Sequence, residues 1–593
     1  MSTPQTAEPA PPRRAFWTRY GWALALLALA GGLIGFLLWS QRQPQAGRAS
    51  VAAGTAVPSD APAPGGTYTE ALVGALGRLN PLFDHLNPAD RDVNRLLYRG
   101  LLRFDARGLP QPDLAEAWGI SKDGKTYNLA LRRNAVWHDG KPVTTADVLF
   151  TVELMRQDAL PVDPNQRALW QQVEVVALDD YTVQFRLEEP FAPFLDYLTF
   201  GILPKHIWED IPIDALVDAD PNLTPVGNGP FRFDHFLVHE GRITGVVLKA
   251  FEDFYLGRPY LDEFIFRYYA TPQEALEAYR EGEVLGLAEI TPDILPAALQ
   301  EPALNFYTAR LPRLTLVLLN LRANQVPFFT EARVRRALLM AVNRERIIKQ
   351  ALAGQGLVAD SPIFPGTWAY DPQTPRVPYD PDAAARLLDE AGFVRTDQGV
   401  RAKDDTQLRF TLSHPDTPTH TAIAQALQRD WARIGVEVTL QPLPYDILIT
   451  KRLEPRNYQA ALVDMDFSRS PDPDPYVFWH KAEIAGDGQN YSGWEHDRAS
   501  TLLELARVTP DLQKRIKLYY SFQQIFAQEL PALPLFYPVY TYAVDAQVKG
   551  IRLGPVFDRS DRFNQVTEWY MMGRPAVAPV VEVETAEPAP AEP

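Results

Sequence analysis

The sequence predicts a mixed protein of the α/β class, with α+β as the other arrangement its pattern allows, preceded by one transmembrane helix. Three observations predict this. Ile423, Leu427, Trp431 and Ile434 form a helical stripe, Gly435 stops it, and Val436, Val438 and Leu440 start a strand. Such helix–glycine–strand units recur along a chain of 593 residues, enough for two or three domains. Tyr20 to Leu38 is almost wholly apolar, and about twenty helical residues cross a ~30 Å hydrocarbon layer.

Taken in order, residues 1–19 are expected to be a cytoplasmic tail, because Arg13, Arg14 and Arg19 precede the apolar run. Residues 20–40 are the expected anchor, with Tyr20 and Trp22 at one end and Trp39 at the other, where aromatic rings favour the interface. An uncleaved anchor is preferred to a signal peptide, whose apolar core is shorter and ends in a small-residue cleavage site. Residues 41–66 are rich in Ala, Pro, Gly, Ser and Gln and read as a flexible linker. Asp123-Gly124 is a tight turn before the alternating strand Tyr127, Leu129, Leu131. Asp139-Gly140 turns the chain again. Thr144 and Asp147 have capping-box spacing ahead of Val148, Val152 and Met155.

Tyr181, Val183, Phe185 and Leu187 alternate after Asp179-Asp180, which predicts a hairpin. Glu331 to Leu352 reads as one long amphipathic helix ended by Gly354; Asp380-Pro381 opens another, closed by Gly392. Residues 573–593 are dominated by Ala, Pro, Glu and Val and are expected to be disordered.

Composition excludes several chemistries. There is no cysteine, hence no disulfide, thiol nucleophile or Cys-based metal site. A net charge of −16 argues against a nucleic-acid surface. No phosphate-binding glycine loop, zinc-protease helix or nucleophile elbow is present. The chain is therefore read as no enzyme, with no cofactor and no metal. His235, His239 and Glu240 are the nearest approach to a metal set, but Phe231 to Ala250 reads as a hairpin through Gly241 that leaves these histidines facing solvent.

The stretch from Ala115 to Pro142, through Trp118, Asp123-Gly124, Trp137 and Asp139-Gly140, resembles the signature region of the family-5 extracellular solute-binding proteins of ABC importers. Val226-Gly227-Asn228-Gly229-Pro230-Phe231 resembles the family's Gly-x-Gly-Pro-aromatic turn, with Asn228 where threonine is commoner. Val334 to Arg344, Tyr379 to Gly392 and Trp431 to Val438 resemble further family blocks, so the likeness runs from about Gly66 to Met572. It implies a two-lobed clamp of the periplasmic-binding-protein type with an extra subdomain on the first lobe. The expected layout is residues 67–310 as lobe I with its insertion, 311–540 as lobe II and 541–572 as the return to lobe I. The crossings are expected near Leu311–Leu314 and Phe536–Tyr542. Relatives often carry a lipid-modified cysteine; this chain has none, and the anchor takes the place of the lipid.

The implied function is capture of an extracellular solute, most readily an oligopeptide, and delivery to permease subunits with separate ATPase subunits. A monomer on the extracytoplasmic face of the cell membrane is expected. A peptide sensor or chaperone of the same fold, or an extracellular hydrolase, are the rival readings; a nickel or metallophore ligand stays open. Asp464 to Trp494 is the expected cleft wall, since aromatic rings give apolar surface and carboxylates accept hydrogen bonds from an ammonium. Asp464, Asp466, Asp472, Tyr476, Trp479, Asn490, Tyr491 and Trp494 are the candidates there. Asp472-Pro473-Asp474-Pro475 makes the segment a shaped loop. The resemblance adds Asn80, in a Leu-Asn-Pro stretch that approaches the cleft in relatives. In peptide-binding relatives an aspartate here holds the ligand amine. Arg469 and Pro471 stand near that place in this chain, so no single residue is assigned as the anchor.

Overall fold

The computed structural model describes residues 62–572, apart from 323, 325 and 469. The expected tail, anchor and most of the linker (residues 1–61), Arg469 and the C-terminal segment 573–593 lie outside the described residues. No helix among the described residues is long and apolar enough to cross a membrane.

One strand organises the molecule. Ala532–Asp545 pairs through its first half with Arg313–Leu319 and Gly356–Val358, and through its second half with Leu304–Arg310 and Gly286–Leu287. Two sheets therefore share it. On the first-lobe side the order runs on through Thr67–Val73, Glu263–Tyr269, Arg242–Ala250 and Phe231–His239. On the second-lobe side it runs through Arg313–Leu319, Ala460–Asp466, Arg409–Pro415 and Glu437–Leu443. The strands Leu304–Arg310 and Arg313–Leu319 are separated only by Leu311 and Pro312, so the chain passes from one sheet to the other there. It returns along Ala532–Asp545, near Pro538, which pairs with Gly356.

Each sheet is covered on both faces. Along Arg313–Leu319 the side chains alternate: Val317 and Leu319 enter one core with Trp431 and Leu427, while Leu314, Leu316 and Leu318 enter another with Trp479 and Phe522. Strands buried on both faces need this near-continuous apolar run. The first lobe packs a large core around Tyr68, Trp137, Trp170 and Trp569, and a smaller one around Leu276 and Ala543.

A four-stranded antiparallel sheet is inserted in the first lobe, ordered Ala115–Ile120, Thr126–Leu131, Thr182–Arg186, Glu174–Asp179. The Asp123-Gly124 turn and the Thr144–Asp147 cap form as predicted; the Thr144 amide donates to Asp147 Oδ2 at 2.9 Å. The helix expected over Glu331–Leu352 is instead two, Ala332–Met340 and Arg344–Ala351. The break is stabilised because the Asn343 amide donates to Asp430 (3.0 Å) and its side chain caps Arg346 (2.9 Å), satisfying backbone that a continuous helix would have paired.

Candidate functional site

The two family-like motifs converge on the end of one helix. Pro88–Leu97 starts at Asn87, whose side chain accepts from the Ala89 amide at 3.0 Å, with proline at the first helical position. At its other end the Gly229 amide donates to Leu97 O at 2.8 Å. A Cβ at Gly229 would stand 2.3 Å from Leu96 O, and one at Gly227 would stand 1.9 Å from Leu97 O, so this close backbone approach requires glycine at both places. His138 locks the turn: its Nδ1 accepts from the Gly227 amide (3.0 Å), leaving Nε2 to donate to Gly229 O (3.1 Å). Burial pushes the His138 pKa down to about 4, so the ring stays neutral. Trp137 is buried, with its indole N–H aimed at Asp147. These signature residues brace the helix rather than line a cavity.

Helix Pro88–Leu97 is held from behind by Arg562, whose guanidinium grips Asp92 (2.8 and 2.9 Å) and Glu70 (2.6 and 3.0 Å). Tyr68 and Tyr542 donate to the second oxygen of Glu70. The opposite face carries Arg91, Asn94, Arg95 and, just past the end, Tyr98. This i, i+3, i+4, i+7 spacing places all four on one side.

That face borders a cavity of about 320 Å³ between the lobes. The first lobe contributes Pro81, Leu82, Arg103, Asp105, Asp163, Asp196, Asp558 and Asp561 among others; the second contributes Ser468, Ser470 and Pro471. Six aspartates stand against three arginines in the lining. Arg91 pairs with Asp558 at 2.5 Å and Arg95 with Asp561 at 3.1 Å, so two of the cations are spent on the protein's own acids.

Asp196 joins the two lobes across this cavity. Its Oδ2 accepts from the Asp472 amide at 2.6 Å and from the Ser470 hydroxyl at 3.1 Å. Burial, and then the negative charge of Asp472, push its pKa well above the usual carboxylate range. The second-lobe loop that receives it is fastened by two arginines from below. Arg515 pairs with Asp472 (2.6 Å) and Arg507 with Asp474 (2.6 Å). A backbone bond from Trp368 N to Arg107 O (3.0 Å) is a further link between the lobes.

None of the nine residues singled out from sequence lies in the lining of this cavity. Asp472 turns inward to Arg515 because the flanking prolines bend the loop, and it meets the other lobe through its backbone amide alone. Trp479 and Trp494 fill the second-lobe core, Trp479 edge-on to Phe526 at 4.9 Å. Asn490 is fully buried and bonds to the backbone of His480 and Trp494. Tyr476 stacks on His480 at 4.1 Å beneath the Arg507 guanidinium, and Tyr491 lies beneath that of Arg456. Asp464 accepts from Thr315 (2.5 Å) and pairs with His420 (3.3 Å); burial would raise its pKa, but His420 and Thr315 hold it below the usual range. Asp466 pairs with Arg313 at 2.9 Å. Asn80 is buried, accepts from the Leu82 amide and donates to Asn222, and so shapes the turn that presents Pro81 and Leu82. Near Asn80 and Asp472 the segment borders the cavity through neighbouring residues, Pro81 and Leu82 in one case and Ser468, Ser470 and Pro471 in the other. His235 and His239 lie on the strand Phe231–His239, His235 bonded to Asp234 at 2.8 Å.

Sequence reasoning missed Asp196, Asp558, Asp561 and the whole polar face of Pro88–Leu97. The Asn87-Pro88 start and the polar 91/94/95/98 spacing among Val93, Leu96 and Leu97 were the available signal.

Residues 110–485 match the family model described as bacterial extracellular solute-binding proteins, family 5, middle region. The chain belongs to this family. The oligopeptide-binding protein AppA of Bacillus subtilis is 27% identical over 526 residues, covering 86% of this chain and 92% of that protein. The dipeptide-binding protein of Escherichia coli is 27% identical over 464 residues, covering 75% and 84%. Among solved structures, AppA in complex with a nonapeptide superposes with a TM-score of 0.64 at 26% identity, covering 86% of this chain and all of that one. NikZ from Campylobacter jejuni in complex with Ni(L-His) gives 0.63 at 26% identity, covering 85% and 99%. AppA and the Escherichia coli relative are named for binding, and none of these names denotes an enzyme. The two-lobed periplasmic-binding-protein fold is common to them and to this chain.

Proposed function

We propose that this chain is the receptor of an ABC importer, taking a short peptide into the interlobe cavity and delivering it to permease subunits with separate ATPases. The observation that supports this reading best is a polar cavity walled by both lobes and bridged by Asp196. A solute touching both walls binds the closed form better than the open form and shifts a pre-existing equilibrium. To take the closed form from about 1% to about 99%, it must favour that form by ~5.5 kcal/mol. The volume of about 320 Å³ sits at the lower end of the ~300–1,000 Å³ of small-molecule sites, which favours short peptides. The excess of aspartates favours a solute bearing an ammonium group. No catalytic role enters this reading; the solute leaves unchanged. The chain works as a monomer held at the outer face of the cell membrane by residues 20–40.

The test is an equimolar library of di- to pentapeptides, with retained species identified by mass spectrometry and closure followed by solution scattering. Retention of peptides with a fall in radius of gyration is expected. Retention of none, or retention without compaction, refutes the reading. Selective retention of Ni(L-His) instead would move it to metal-chelate uptake.

A further inference from the structure

Helix Pro88–Leu97 turns three polar side chains toward the interlobe cavity, and one differs from the other two. Arg91 and Arg95 have their charged ends paired, with Asp558 and Asp561, and the Nε of each is buried without a partner. Asn94 has no partner at all: it is 3% exposed, and both its amide nitrogen and its amide oxygen are buried without a hydrogen bond. Burying a side-chain amide in this state is unfavourable, and buried polar groups elsewhere in proteins are nearly all paired. A leucine of similar size would fill the place without that cost. Asn94 lines the cavity, and its amide, a donor and an acceptor side by side, is flanked by two arginines whose own pairing keeps them from turning to it.

We propose that Asn94 is a specificity-determining residue that reads one extended residue of the bound peptide, donating to that residue's C=O and accepting from its N–H, which point to the same side of the chain. The complementary edge is the N–H and C=O of one extended residue, which a peptide backbone offers and which a sugar or a bare metal ion lacks. This rests on the peptide reading above and narrows it: the face of Pro88–Leu97 selects for the backbone of the solute rather than for its side chains. The rigid support of this helix, Arg562 behind it and the Gly227–Gly229 turn at its end, fits that role. A reading group must be held in place by its neighbours to discriminate.

The experiment uses the full chain, the Asn94→Leu and Asn94→Ser variants, and the equimolar di- to pentapeptide library. The best-retained peptide is then resynthesised with each backbone N–H methylated in turn. For Asn94→Leu the ligand-free melting temperature is expected to stay level or rise, while affinity for that peptide falls at least tenfold. Asn94→Ser, which cannot overpack, is expected to lose a comparable factor. Methylation at one backbone position should weaken binding to the wild type at least fivefold and to Asn94→Leu less than twofold. Equal affinity of wild type and Asn94→Leu overturns the inference and leaves the peptide reading standing. A lowered melting temperature in both variants with no position-specific methyl effect also overturns it, assigning Asn94 to a buried water. A wild type that retains no library member overturns the peptide reading, and the inference falls with it.

Discussion

Replacing Arg515 by methionine probes the support of the loop that closes the cavity. The guanidinium lies 2.6 Å from Asp472, both side chains are 6% exposed, and Trp368 packs against its face at 5.0 Å. At that separation and an effective dielectric constant of ~20, the attraction is about 6 kcal/mol. Removing the arginine also removes its desolvation cost, so the net loss is about 3–5 kcal/mol, the range seen when one partner of a buried pair is deleted. The stranded Asp472 carboxylate is then left near Asp196 of the other lobe, whose own carboxyl already bonds to the Asp472 amide. Thermal unfolding at neutral pH should register a fall of roughly 10 °C for a lobe of this size. The double variant Arg515→Met/Asp472→Leu removes both charges and should recover to within about 2 kcal/mol of the wild type, because an apolar replacement of a buried pair is nearly neutral. A single variant within 1 kcal/mol of the wild type, or a double variant no better than the single, would refute the reasoning.

Asp196 gives the lobe contact a pH dependence. Its pKa is raised where the two lobes touch, so the contact is strongest at acid pH and weakens as pH rises through that raised value, from about 3.9 for a solvated carboxyl. Asp472, Ser470 and Arg515 face it from the second lobe. The radius of gyration of the ligand-free protein should therefore grow as pH rises above the ordinary carboxylate value of about 3.9, and Asp196→Asn should flatten the slope; a slope of opposite sign refutes this. Gly229→Ala forces a Cβ to 2.3 Å from Leu96 O, where only backbone can yield, and should cost about 1–3 kcal/mol in urea unfolding. Arg562→Met strands the buried Glu70 and Asp92 and should cost about 3–5 kcal/mol at pH 7. That loss should shrink on acidification as the Glu70 carboxyl, whose pKa burial already raises, protonates, which unfolding curves at pH 5 and pH 7 would compare.

Much of the architecture was legible from local chemistry. Gly435 ending a helix before Val436, Val438 and Leu440, or Asp123-Gly124 joining two alternating strands, act through neighbours in sequence, so periodicity and turn residues suffice to place them. Where a distant group intervenes, local reading fails. The helix expected through Asn343 breaks because Asp430, far along the chain, accepts its amide. The candidate site failed for the same reason on a larger scale. Aromatics and acids between Asp464 and Trp494 have the composition of a binding surface, yet Arg515, Arg507 and Phe526 claim several of them for the second-lobe core.

By itself, then, the order of residues determined the class of fold, several turns and helix–strand junctions, the absence of thiol chemistry and the family likeness, since each depends on spacing or composition along the chain. Tertiary structure alone decided which side chains face the cavity. Asp196 and Asp472 lie hundreds of positions apart and meet across the lobes because one shared strand, Ala532–Asp545, joins the two sheets; Arg91 and Asp558 meet because the chain returns along that strand to the first lobe. The same folding buries Asn94 with no partner of its own, a property that exists only once the surrounding elements have packed.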